Sequence, residues 1–588
     1  MQKELEFHPY LPLNDKGKPY ELNDLFDDQK WIAYMVLSKI HEWLTCEDYS
    51  AFEPLRCTVN GQAGTGKSVL LNTITTVVRK FTACNNSCLV GAPTGTAAFN
   101  VNGSTIHSMT GMSENDEEST CCVLSQSKKE SLTSKFKDCL VLIFDERSLI
   151  GTHLLGKAER IIDQVAFEGL GSKTGHSWGG IPVVLIAGDD YQLGGMGEVA
   201  HDLLPPFNTF KSNKSIIRGR TLFRELSNTV FKLPKIRRVD ASRQEDQELL
   251  DRVRIGERIT DDDTDRLQNL SLDKIEEVHG IQTVKELKKN AIFLFFQNEK
   301  RIAHNYKQLA ELNTQENPTA IIKTISSSQK HGKGIRCHFK KPITYCLLCI
   351  GAKVCCRKRN FCPLWGLHNG ACGIMKEIVF DKGCNPYSGD LPRYVVVHFP
   401  LYRGPAWDKD NPKYVPLPMI SERCKFKCCL RTFCPLGLCF ARTFHTYQGL
   451  QAGPPEKGKP EHIYHRVILD PDKRDIECRQ TGMLYTGISR GTTLGDKDGL
   501  NSAVYFQSDH FNKKPETRDR VKKLTLQDNG IHEFTKVTKR RQWVQHLDAH
   551  TQPNLSPTTP LVQHVFAYFS STMNYDLMYQ RKSLYTSK

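Results

Sequence analysis

The chain has 588 residues, 39% hydrophobic and 25% charged, a globular balance that excludes a largely disordered, collagenous or coiled-coil protein and calls for several domains at ~150 residues each. Its net charge of +15 is lopsided: the first 230 residues hold 22 basic and 27 acidic side chains, the remainder 58 and 38, so the later part presents a field suited to a polyanion. No stretch approaches the ~20 apolar residues that cross a bilayer, and membrane insertion is not expected.

In chain order, MQKELEFHPYLPLNDKGK lacks both a signal-peptide apolar core and the Arg-rich, acid-poor character of a transit peptide, so the expectation is an intracellular protein or a sequence whose start has been cropped. Short apolar runs then alternate with a helical pattern: Leu55–Val59, the helix Val69–Phe81, Cys88–Ala92, Cys139–Phe144 and Ile181–Ala187. That alternation predicts a doubly wound α/β domain with its ligand at the carboxyl ends of the strands. Between the first strand and the helix lies Gly61-Gln-Ala-Gly-Thr-Gly-Lys67-Ser68. Glycines there let backbone N–H groups curl around phosphate oxygens; Lys67 reaches the β/γ-phosphates and Ser68 offers its hydroxyl to Mg²⁺. Gly61, Gly64, Thr65, Gly66, Lys67 and Ser68 are therefore the expected nucleotide-binding residues.

Asp145-Glu146 ends the strand Cys139–Phe144; after a phosphate loop, Asp145 is expected to hold Mg²⁺ and Glu146 to polarise the attacking water. Arg147 is expected to pair with these carboxylates and compete with the metal. Gln192, in the segment Ala187–Leu193 after the next strand, is expected to bond the γ-phosphate or the water.

Residues 231–343 return to helical patterns around the strand Ala291–Phe296. Residues 346–436 are dominated by Cys, Gly, Pro and aromatics and read as a small all-β insertion; thirteen of the 21 cysteines fall between Cys337 and Cys439. Cys346-Leu-Leu-Cys349 and Cys424-Lys-Phe-Lys-Cys428, with Cys355-Cys356 and Cys428-Cys429 nearby, could supply a four-thiolate zinc site, but the strand-like setting favours buried thiols. His368 stays unassigned. Alternation resumes at Val467–Leu469 and Ala503–Phe506, bringing the motifs Ala441-Arg-Thr-Phe-His445-Thr446-Tyr447-Gln-Gly449 and Tyr485-Thr-Gly-Ile-Ser-Arg490. Arg490 suits an arginine finger. The tail from 509 shows no periodicity.

Together and in this order, these blocks resemble the Pif family of superfamily 1 DNA helicases. The resemblance implies two RecA-like domains, at 1–227 and at 228–343 with 437–508, an SH3-like insertion at 344–436, and a basic tail at 509–588. It makes Gln29, in LFDDQKWIAY, the reader of adenine, and places Thr94 and Gly95 of APTGTAAFNV and His107 on single-stranded DNA. His445, Thr446 and Tyr447 join them, with Tyr447 stacking on a base where the family usually has a lysine and a small hydroxyl residue. Arg238 aligns as a second phosphate-sensing arginine, with Arg237 the fallback, and Gly449 joins the nucleotide contacts. The implied protein hydrolyses ATP with Mg²⁺ between its two lobes and moves five-prime to three-prime on single-stranded DNA as a monomer. Its setting would be nuclear or mitochondrial, in repair, recombination, replication or telomere maintenance. Two alternatives stay open: the motor portion of a rolling-circle transposon or replication protein, and a non-enzymatic nucleic-acid-binding remnant. An RNA-directed helicase is disfavoured by Gly179–Val183.

Overall fold

The computed structural model describes residues 18–47, 51–112, 124–166, 175–194, 214–237, 244–255, 260–328, 345–357, 360–423, 429–454, 463–470, 482–496, 498–508, 542–553 and 560–570. They form two compact units, one comprising Met1–Ile259, Glu477–Ser489 and Arg518–Lys588, the other Thr260–Ile476 and Arg490–Thr517.

The first unit is built on a six-stranded sheet of β1 (Leu55–Gly61), β2 (Cys88–Ala92), β3 (Ser104–Thr105), β4 (Val141–Phe144), β5 (Val183–Gly188) and β6 (Val230–Leu233). The order is β3-β2-β4-β5-β1-β6, and each pairing is parallel. Every residue of β1, β2, β4 and β5 is buried, as a parallel sheet covered on both faces requires. This explains why these strands read as unbroken apolar runs. One face is covered by α1 (Asp27–Thr45) and α2 (Lys67–Thr82), whose Trp31, Ile32, Val36, Leu37, Leu70, Leu71 and Ile74 share a core with Val59 and Leu185.

On the other face the helices Thr152–Asp163 and Lys214–Leu226 cross at very short range. A Cβ on Gly219 would lie 1.9 Å from the carbonyl oxygen of Thr152, and one on Gly156 2.0 Å from that of Ser215, so the crossing exists because both residues lack a side chain.

Three boundaries differ from expectation. The first domain does not end at 227: β6 pairs with β1 from Thr58↔Val230 to Gly61↔Leu233, and the helix Gln244–Ile255 belongs to the same unit. The tail is not featureless, since Trp543 and Leu547 enter the core around Phe144 and Trp178. Val562, Val565, Phe566 and Phe569, on Pro560–Ser570, join the core of α1 and α2, with Phe569 4.5 Å from Phe81 by ring centroids. The inserted β region also starts before 344, because Ala320–Lys323 pairs with Tyr345–Leu348 and Ile325–Ser328 with Cys429–Phe433.

The second unit contains a parallel four-stranded sheet in the order Ala441–Thr443, Ala291–Phe295, Arg466–Asp470, Val504–Phe506. Its inserted region centres on an antiparallel five-stranded sheet in the order Tyr414–Pro418, Tyr394–His398, Cys372–Val379, Lys353–Cys356, Leu436–Leu438. The first two of these strands alternate buried and less buried residues, the period-two pattern of a sheet with one covered face.

Candidate nucleotide site of the first unit

The loop between β1 and α2 takes the shape its glycines permit. Gly64 and Gly66 lie at φ +86° and +85°, conformations costly for residues bearing a Cβ. Gly66 is also crowded: a Cβ would meet the Gln29 amide nitrogen at 2.5 Å. Lys67 opens α2 and folds its ammonium back onto the carbonyls of Gly61 (2.6 Å) and Gln62 (2.9 Å). Thr65 is buried, its hydroxyl donating to Gln62 O at 3.0 Å, while Ser68 is exposed at the helix N-terminus. These residues form a ring of amides and one ammonium, the arrangement that receives a polyphosphate.

Gln29, 1% exposed, ties the N-terminal segment to this loop. Its Nε2 donates to Gly66 O at 3.1 Å and its Oε1 accepts from Phe26 N at 3.1 Å. Arg237 clamps the loop from outside: its backbone N–H donates to Gly64 O (2.7 Å), its guanidinium to Thr65 O (2.7 Å) and to Asp28, and it lies 4.2 Å over the Phe26 ring. Phe26, Gln62, Pro234, Ile236, Arg237 and Asp251 are among the residues lining a cleft at this edge, a mixture of apolar and polar side chains of the kind small-molecule sites use. The fallback arginine thus sits against the nucleotide loop, while Arg238 lies outside the described residues.

At the carboxyl end of β4, Asp145 is buried and Glu146 half-buried. Burial first, then the neighbouring Glu146, pushes the Asp145 carboxyl up to about 7, with Lys67 opposing. Glu146 adopts φ +55°, a strained backbone for glutamate and a kind of strain that gathers at functional sites. Arg147 corrects one expectation. It is fully buried and pairs with Asp190, Nε to Oδ1 at 3.1 Å, not with the acidic pair; the Trp543 indole donates to the same Asp190 carboxylate at 3.1 Å.

After β5, Asp189 is the hub. Burial would raise its carboxyl, but Arg254, Lys67, the Tyr485 hydroxyl and the Tyr191 amide hold it below the usual carboxylate range. Arg254 bonds it at 3.2 Å and stacks 4.4 Å over the Tyr191 ring. Tyr485, from the helix Met483–Ile488, donates to Asp189 at 2.8 Å and accepts from the Ala63 N–H of the phosphate loop at 3.3 Å. Gln192 is buried beside this hub, its N–H donating to Asp189 O at 3.2 Å. Sequence reasoning gave no role to Asp189, Arg254 or Tyr485. Asp189 and Tyr485 sat inside noted motifs, whereas Arg254 carried no local signal because its partner is 65 residues away.

Asp145 and Ser68 fit a magnesium ion. They offer hard oxygen donors, and a buried carboxyl whose ionisation is disfavoured by its acidic neighbour is where a cation restores the charge. Among the described residues no group of three or more His, Cys, Asp or Glu side chains is placed to hold a metal ion.

The residues expected on DNA divide. Thr94 caps the helix Gly95–Asn100, accepting from Ala97 N at 3.2 Å, and His107 lies on the helix Ile106–Thr110. Thr94, Gly95 and His107 follow β2 and β3 and are half-buried. In the second unit His445 is half-buried and Thr446 exposed, the latter's hydroxyl donating back to Thr443 O at 3.0 Å. Tyr447 overturns its expected stacking role. It is fully buried, donates to Gln451 O at 3.1 Å and packs edge-on against Tyr464, because it shares the covered face of the short helix Phe444–Tyr447 with Phe444 while Thr446 takes the exposed one. Gly449 turns at φ +86°. Arg490 is buried in the same unit and its carbonyl accepts from Ala452 N at 3.0 Å.

Residues 46–249 match the PIF1-like helicase family. The chain is 34% identical to the ATP-dependent DNA helicase RRM3 of Saccharomyces cerevisiae over 135 residues, 23% of this chain and 17% of that protein. It is 30% identical to the ATP-dependent DNA helicase PIF1 of Candida albicans over 172 residues, 29% of this chain and 18% of that protein. The match to PIF1 of Xenopus laevis is 26% over 333 residues, 55% of this chain and 44% of that protein. The chain thus spans less than half the length of each of these curated relatives. Among solved structures, the Pif1 helicase from Candida albicans superposes with a TM-score of 0.57 at 20% identity, covering 90% of this chain and 99% of that one. The Bacteroides Pif1 helicase in complex with ADP-AlF3 and single-stranded DNA gives 0.52 at 20% identity, covering 86% and 97%. At that identity the likeness is one of fold, and it bears out the α/β architecture with an all-β insertion. The family match and curated relatives bear out the resemblance to Pif-family helicases.

Proposed function

We propose that this chain is an ATP-dependent DNA helicase of the Pif family. The observation that carries the reading is the convergence on one sheet edge of a glycine-turned phosphate loop, the buried Asp145 with its half-buried neighbour Glu146, and the Asp189 hub. In this reading the loop amides and Lys67 take the β/γ-phosphates, and Lys67 exchanges its carbonyl partners for phosphate oxygens. Glu146 accepts the proton of the attacking water; Asp145 with Ser68 would hold magnesium, which would supply charge neutralisation on the phosphates. Tyr485 touches both the loop and Asp189, so phosphate arriving at Ala63 N–H competes for the hydroxyl's partner and reports occupancy to the segment around Gln192. Arg490 keeps the arginine-finger role that the resemblance gives it. Thr94, Gly95 and His107, at the carboxyl ends of neighbouring strands, are the proposed single-strand contacts of the first unit, joined by His445 and Thr446 of the second.

The test is ATP hydrolysis with single-stranded DNA, RNA or no nucleic acid, beside Lys67→Ala and Glu146→Gln. DNA should stimulate the native chain, and either substitution should lower turnover by roughly 100-fold or more. ATPase indifferent to any nucleic acid would sink the translocase. Duplexes tailed at the five-prime or three-prime end test the proposed five-prime to three-prime polarity.

A further inference from the structure

Where the inserted sheet meets the strand Ala441–Thr443, three thiols and one guanidinium are packed together. Cys355 and Cys372 face each other across an antiparallel pairing. Cys439 follows the strand Leu436–Leu438 on the other side of Cys355, its N–H donating to Lys353 O at 2.7 Å. The Cys372 and Cys439 sulfurs are 3.7 Å apart. Arg442, 5% exposed, donates to both, Nε to Cys439 at 3.1 Å and a terminal nitrogen to Cys372 at 3.0 Å. Its remaining bonds go to backbone: Thr446 O at 3.0 Å and Gly370 O. One side chain therefore joins the thiols to the His445–Tyr447 turn.

We propose that Cys372 and Cys439 are a peroxide-sensitive thiol pair whose oxidation to a disulfide displaces Arg442 and loosens the turn carrying His445 and Thr446. The Cys439 thiolate attacks one peroxide oxygen, the O–O bond breaks and hydroxide leaves, taking up the proton the Cys439 thiol had released, so that a sulfenic acid and one water form. The Cys372 sulfur then attacks the Cys439 sulfur, the S–O bond breaks and a second water leaves. Two thiols and one peroxide thus give one disulfide and two waters. Three observations support this. Hydrogen bonds from Cys355 and Cys372, then the Arg442 charge, hold the Cys439 thiol well below its ordinary range, and the thiolate is the nucleophile. Cys439 is fully buried but Cys372, 3.7 Å from it by sulfur, is only partly covered, so peroxide has to reach the thiolate past Cys372. The sulfurs are less than 2 Å from a bond length of about 2.05 Å, but their residues flank the strand Lys353–Cys356, so closing the bond has to pull the backbone after Cys439 inward, which is what moves Arg442 and its turn. Once bonded, neither sulfur carries charge, and the buried guanidinium loses the anion that balanced it.

The activity consequence rests on the helicase reading, whereas the chemistry does not. The full chain is treated with hydrogen peroxide, digested without reduction and mapped by mass spectrometry, then assayed for single-stranded DNA affinity before and after dithiothreitol. A Cys372–Cys439 crosslink is expected, with DNA affinity falling at least about fivefold (on the order of 1 kcal/mol) and recovering on reduction. Cys372→Ser should abolish both crosslink and loss, while Cys355→Ser should keep them. A crosslink with unchanged affinity overturns the coupling to the turn. Absence of the crosslink, retention of zinc by the purified chain at these cysteines, or a loss equal in Cys372→Ser overturns the thiol pair. A native chain that does not bind DNA at all counts against the helicase reading and leaves the mapping to decide the chemistry.

Discussion

Asp145 shows how much a single residue here depends on its surroundings. Two adjacent carboxylates after a phosphate loop identify the pair in the sequence; the carboxyl's shift to about 7 is a product of burial and of Glu146. Folded Asp145 keeps its proton to about pH 7 while the unfolded chain releases it near 3.8. The unfolded state therefore binds fewer protons in that window, and this residue makes stability fall as pH rises from about 4 to 7. Asp145→Asn should flatten that part of the profile, measured by urea unfolding without nucleotide, and should abolish hydrolysis. A profile identical to that of the native chain would refute the raised carboxyl.

Tyr447 gives the opposite lesson. Its neighbours in the motif suggested a base-stacking ring, yet it is fully buried. Tyr447→Phe should leave single-stranded DNA affinity unchanged and cost about 1 kcal/mol for the lost hydrogen bond. Tyr447→Ala should destabilise by ~3–5 kcal/mol, read by thermal unfolding. Loss of affinity in the stable Phe variant would restore the direct DNA role.

Among elements, the strands were legible because a parallel sheet buried on both faces writes continuous apolar runs: Cys88–Ala92 is a strand as expected, and Leu55–Val59 extends only to Gly61. β6 was less so, since Val230–Leu233 is short and includes Lys232, and its pairing with β1 spans more than 170 residues of chain. Helix contacts were harder still. Nothing local distinguishes Gly156 and Gly219 from other glycines, but each lies against the opposite helix's backbone. Gly219→Ala should cost ~3 kcal/mol in unfolding free energy, while a substitution at Gly280, whose Cβ would meet nothing within 4 Å, tests only its positive φ. The docked tail helices make a second prediction. Trp543 is fully buried and bonded to Asp190, which also holds Arg147. Trp543→Phe should lose ~1–3 kcal/mol for the unmet bond and Trp543→Ala ~3–5 kcal/mol. Chain ending at residue 541 should unfold at lower temperature, since Phe566 and Phe569 leave the core of α1 and α2 bare.

At the scale of the whole molecule, charge is the property the sequence states most directly. With 58 basic against 38 acidic side chains after residue 230, affinity for single-stranded DNA should fall linearly with the logarithm of salt concentration. Filter binding across a salt series checks this, and a flat series would separate binding from phosphate contact. The sequence by itself determined the glycine-turned loop between β1 and α2 and the α/β class. A phosphate loop needs its glycines, lysine and serine consecutively between a strand and a helix, and a buried strand needs consecutive apolar residues; both are local requirements written in local order. Tertiary structure alone decided that Arg147 serves Asp190, that Arg254 and Tyr485 complete the Asp189 hub, that Tyr447 is core, that the tail covers α1 and α2, and that Cys355, Cys372 and Cys439 meet around Arg442. Each of those depends on groups tens to hundreds of residues apart, and only the packing of the sheets brings them within bonding distance.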